Sequence, residues 1–143
     1  MTFKIPTTVV GFVLFNVFVL VMNLFDRDVY IALKDIAFAI PLPSGAIWSM
    51  AFGDIFVCYV MLSVFMEIIR QASGDISQPG THMIALAVFV ISLNEFLLIK
   101  SFGHSYFFIF LLAALIDFVV TWLSTIIRAR RDVRLTGGGG MNQ

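Results

Sequence analysis

Residues 5–25 read IPTTVVGFVLFNVFVLVMNLF, a run without one ionisable side chain. A helix needs roughly 20 mostly apolar residues to cross about 30 Å of hydrocarbon, because each residue rises about 1.5 Å. This run has that length. Lys4 is its only basic flank, and Asn23-Leu24-Phe25-Asp26 offers no small-residue cleavage site. It therefore reads as an uncleaved membrane helix rather than a signal peptide. Working outward, three further stretches qualify: 46–68, interrupted by Gly53 and Asp54; 82–100, containing Ser92, Asn94 and Glu95; and 105–127, containing Asp117. The runs are long and continuous, whereas barrel strands would be short and alternating, so helices are expected.

Composition agrees. Of 143 residues, 60% are apolar and 13% charged, with a mean hydropathy of +1.00, whereas soluble domains are about one-quarter charged. Nine basic and nine acidic residues cancel, which removes the global positive field that nucleic acid would require. A single cysteine, Cys58, excludes an internal disulfide framework and a Cys-rich metal site. The expectation is one membrane domain over 1–136, followed by a flexible Gly-rich tail, 137–143.

Between the first two runs, Val29, Ala32, Leu33, Ile36, Ala37 and Ile40 recur on one helical face. Asp28 is placed to cap such a helix, and Pro41 and Pro43 to stop it. An amphipathic helix over 28–40 is expected, lying in the membrane interface or packed over the bundle's end. Residues 73–80 (SGDISQPG) make a polar turn between spans two and three. The fold class is then all-α: an integral membrane four-helix bundle with an interfacial helix between spans one and two. Four spans place Lys4, Arg70, Arg128, Arg130, Arg131 and Arg134 on one side and Arg27, Lys34 and Lys100 on the other. The excess of basic residues predicts that both termini are cytoplasmic.

Each span carries one strong polar group toward its middle: Asn16, Asp54, Glu95 and Asp117. An ionised Asp at mid-bilayer costs roughly 3 kcal/mol, so these groups must face protein or water, or be neutral. Helical spacing gives each span a polar or small-residue stripe, the clearest being Ala113, Asp117, Thr121, Ser124 and Arg128. Three readings stay open. The acids are protonated donors that hold the helices together, or they bind a moving proton or cation, or one faces outward to meet a basic group of a partner subunit. Four short spans seldom enclose a pore, so a conduit requires a homo-oligomer. Glu67 and Arg70, at i and i+3, read as a solvated helix end.

No metal and no cofactor are expected. Glu-x-x-His pairs are absent, and the two histidines, His82 and His104, fall at opposite ends of the spans and read as interfacial side chains. Nucleophile and phosphate-binding motifs are absent too, which points away from an enzyme. The cluster Arg128, Arg130, Arg131 and Arg134 suits anionic headgroups or serves as a stop that fixes orientation. The expected partners are the lipid bilayer and either further copies of the chain or other membrane subunits.

At PSGAIW (43–48), Gly53-Asp54 and Ala129 to Asp132 the chain resembles a group of small, uncharacterised bacterial four-span inner-membrane proteins. The resemblance covers most of the chain, implies the same fold and location, and brings no activity with it.

Overall fold

The computed structural model describes residues 7–72 and 79–137, so the expected polar turn and Gly-rich tail fall almost wholly outside the described residues. Helix α1 spans Thr7–Leu24, α2 Val29–Lys34, strand β1 Ile36–Pro41, β2 Ile47–Ala51, α3 Phe52–Ala72, α4 Pro79–Leu98 and α5 Ser105–Gly137, with a 3-10 turn at Lys100–Phe102. The chain is thus mostly helical. Thr7–Leu24, Phe52–Gln71 and Ser105–Ile127 are long and apolar enough to cross a membrane, and His82–Leu98 is a shorter apolar helix. Helix α5 packs along both α3 and α4, and α1 lies against the same two helices.

Helix α1 stops where its apolar run stops. Asp26 takes a left-handed conformation (φ 51°), its N–H bonding to the Asn23 carbonyl at 3.2 Å and that of Arg27 to Met22 at 3.0 Å. This pair of bonds closes the last turn, and Asp is one of the few residues that tolerates the left-handed position. Asp28 then caps α2 as expected, accepting from the N–H groups of Tyr30 (2.9 Å) and Ile31 (3.1 Å).

The expected amphipathic helix over 28–40 is corrected. Only Val29–Lys34 is helical, and 36–51 form an antiparallel hairpin, with Ile40 opposite Trp48 and Pro41 opposite Ile47. Ile36, Phe38 and Ile40 also alternate with Ala37 and Ala39, so the segment carries a period of two as well as one of 3.6. The turn decides between them. Gly45 sits at φ +82°, its N–H bonds to the Leu42 carbonyl at 2.9 Å, and the Leu42 N–H bonds to Ala46 at 2.8 Å. Pro43, Ser44 and Gly45 are therefore a three-residue hairpin loop closed by a left-handed glycine. Pro41 and Pro43 do not terminate a helix; they belong to the end of a strand and to its turn. The second apolar run consequently becomes helical at Phe52, not at 46, and the Phe52 N–H bonds back to the Asp35 carbonyl at 3.1 Å.

The core has two parts. Toward the hairpin end it is aromatic, centred on Phe15, whose ring lies 4.6 Å from Phe56 and 5.0 Å from Phe107, with Phe102 and Phe110 around them. Toward the opposite end it is polar.

Candidate functional site

The polar part of the core is assembled by the first turn of α1. The Thr7 hydroxyl donates to the Ser63 carbonyl of α3 at 3.2 Å, and the Tyr59 hydroxyl donates to the Thr7 carbonyl at 3.1 Å. The next residue, Thr8, donates its hydroxyl to Asp117 of α5. Asp117 is 2% exposed and receives a second, long contact from the Thr121 hydroxyl, one helical turn on, at 3.5 Å. Its carboxyl group thus lies beside the N-terminal turn of α1, the positive end of that helix's dipole. Ala113, Asp117 and Thr121 are all buried and Ser124 is half-buried, so these four positions of the stripe read on α5 turn toward the protein. The side chain of Arg128, and those of Arg130, Arg131 and Arg134, fall outside the described residues.

Glu67 belongs to the same region. It is 1% exposed, accepts from Gln71 at 3.0 Å, and has Arg70 Nη2 at 3.0 Å from Oε2. That last contact is an ion pair by distance but is not aligned as a hydrogen bond, which leaves Oε2 without a hydrogen-bond partner. The reading of Glu67 and Arg70 as a solvated helix end is therefore corrected. The pair sits at a helix end, but Glu67 points into the protein. The i, i+3 spacing to a basic residue concealed this; the signal that could have revealed it is Ser63 and Val60, which share its face and are buried.

Glu95 and Asn16 meet elsewhere. The Asn16 amide donates to Glu95 Oε2 at 3.3 Å and to the Phe12 carbonyl at 3.1 Å, and both side chains are half-buried. Asn16 lies two turns along α1 from Thr8, so roughly 12 Å of helix separates this pair from Asp117's partner. Ala85 and Ser92 of α4 are buried.

Asp54 does not join either group. It stands in the first turn of α3, exposed, and its carboxylate accepts from the Ala51 N–H at 3.0 Å. A side chain in the third helical position that reaches back to the residue before the helix is half of a capping box. Cys58, one turn on, is exposed as well. The expected single layer of Asn16, Asp54, Glu95 and Asp117 is thus resolved into a buried Thr8–Asp117–Thr121 and Glu67–Arg70–Gln71 region, a separate Asn16–Glu95 pair, and a helix cap. Among the described residues no group of three or more His, Cys, Asp or Glu side chains could hold a metal ion. His82 contacts the Thr125 hydroxyl, far along the chain from His104. No protein-family model, no curated protein and no solved structure matches the chain.

Proposed function

We propose that the chain is a non-enzymatic four-span protein of a bacterial inner membrane, both termini cytoplasmic, that acts by association as an accessory subunit or assembly partner of a larger membrane complex. The observation that carries this reading is the hairpin. Its residues 36–51 include no charged side chain, and nearly all are exposed, Ile47 to 74% and Ile36 to 64%. A two-stranded sheet keeps two open edges of backbone N–H and C=O groups and is marginal alone. Hydrocarbon cannot satisfy those edges, and water cannot take the apolar faces. A polypeptide laid along the hairpin satisfies both at once, by strand addition or by packing against Phe38 and Trp48. The buried acids fit this reading as internal fasteners, since Asp117 accepts from Thr8 and Glu67 from Gln71.

The test is a photo-crosslinking amino acid placed at Ile47 and, separately, at Met61 on the outward face of α3, in native membranes. Adducts of discrete mass with a polypeptide at Ile47, but not at Met61, are the expected result. Lipid adducts alone at both positions would overturn the reading.

A second reading, a homo-oligomeric proton or cation conduit, draws support from one observation: Glu67 and Asp117 are two buried carboxyl groups, and among the described residues Arg70 is the ion-pair partner of Glu67 while Asp117 has none. Asp117→Asn would then abolish pH-driven flux in liposomes. Unchanged flux in that variant removes the conduit.

A further inference from the structure

At the hairpin end, where α1 turns into α2 and the 3-10 turn leads into α5, lies an open cleft of about 710 Å³. That is within the range of roughly 300–1,000 Å³ that ligand clefts occupy. Its lining carries both signs of charge: Asp26, Arg27 and Asp28 from the α1–α2 turn, and Lys100 with His104 from the segment before α5. Arg27 is already paired with Asp35, and Asp28 caps α2 through Oδ1 alone. Among the described residues, Lys100, Asp26 and Asp28 have no ion-pair partner. A lysine and two carboxylates on the same cleft match a ligand that carries an anion and a cation of its own.

His104 forms part of the cleft wall, with its ring nitrogens turned into the protein. Its Nδ1 accepts the Phe107 N–H at 3.3 Å, which puts the ring proton on Nε2, and Nε2 is shielded without a hydrogen-bond partner. Burial pushes the imidazole below its ordinary value, with the Ser101 carbonyl and Asp28 opposing. The hydroxyls of Ser101 and Ser105 line the same wall. Lys100 and the two serines form a donor-rich side suited to phosphate, and Asp26 and Asp28 with Asn23 form an acceptor side suited to an ammonium group. The residues flanking the cleft in sequence are apolar and exposed: Leu24 and Phe25 on one side, Leu97, Leu98 and Ile99 on the other. Two acyl chains would have apolar helix surface to lie on beneath it.

We propose that this cleft binds a phosphate joined to a primary ammonium, the chemistry of a phosphatidylethanolamine headgroup, with the phosphate toward Lys100 and the serine hydroxyls and the ammonium toward Asp26. The experiment is native mass spectrometry of the full chain, purified in detergent and titrated with phosphatidylethanolamine, phosphatidylglycerol and free O-phosphoethanolamine. The wild type should retain phosphatidylethanolamine roughly tenfold better than phosphatidylglycerol. Lys100→Gln should lower retention of both lipids by about tenfold, the loss of one charge-assisted contact, and Lys100→Arg should restore it. Asp26→Asn should remove the preference and leave the two lipids equal, a change of selectivity that a merely loosened fold would not produce. Retention of free O-phosphoethanolamine as strong as that of the lipid identifies a soluble zwitterion as the source, and retention of the lipid alone identifies the bilayer. Equal retention of both lipids by the wild type, or selectivity unmoved by Asp26→Asn, overturns the proposal.

Discussion

Asp117 has two hydroxyl neighbours and almost no solvent, and that predicts how it responds to substitution. Asp117→Ala leaves the Thr8 hydroxyl buried and unpaired, and should lower stability by about 1–2 kcal/mol in a detergent unfolding assay. Asp117→Asn keeps an acceptor in place and should cost less than half of that. Equal losses would mean that the contact with Thr8 contributes nothing beyond volume. His104 makes a second prediction at this scale. Its folded-state pKa lies below the ordinary value of about 6.5, so the unfolded chain binds the proton more readily. Its contribution is complete at neutral pH and is lost as pH falls through and below about 6.5. The melting temperature should therefore drop between pH 7 and pH 5.5, and His104→Gln should flatten that drop. Single residues were unevenly legible in the sequence. Asp117 stood out because a lone acid in an apolar run has few places to go. Glu67 did not, because a basic residue one turn away supplied a sufficient surface explanation.

Element boundaries explain the remaining misplacements. The hairpin's sequence satisfies two periods at once, and the helical one is counted first unless Pro43-Ser44-Gly45 is read as a turn. Starting α3 at 46 instead of Phe52 moves its apparent midpoint, which is why Asp54 seemed deep. Six residues of helix amount to about 9 Å, enough to turn a cap into a mid-membrane acid. Two element-scale predictions follow from close geometry. Gly45 has open space around it but a left-handed backbone, so Gly45→Val should cost about 1–2 kcal/mol in backbone strain, while Gly45→Asn should be tolerated. Loss of the hairpin would show as a changed Trp48 emission in a Trp122→Phe background, since Trp48 lies edge-on to Phe38 at 6.0 Å. On α3, a Cβ at Gly53 would fall 2.5 Å from the Tyr106 ring. Gly53→Ala should therefore separate α3 from α5 and cost roughly 1–3 kcal/mol, and adding Tyr106→Leu should recover much of it.

At the scale of the whole molecule, the number of crossings rests on α4, whose apolar stretch His82–Leu98 is the shortest of the four. If α4 crosses, cysteines at Gly80 and Ser101 in a Cys58→Ser background must react with an impermeant maleimide from opposite faces of the membrane. Labelling of both from one face would place α4 along the surface. The apolar runs were legible because membrane solvation imposes a length that composition reveals. The grouping of the polar side chains was not, because it depends on which helix faces meet, and spacing within one helix says nothing of its neighbour's rotation. One dimension of the fold has its own consequence. Helix α5 runs unbroken to Gly137 although its apolar window closes at Ile127, so about 15 Å of rod continues past the last lipid-matched residue. Such a rod acts as a stand-off. A stiff arm meets an approaching surface at one fixed reach, where a slack tether would meet it at many.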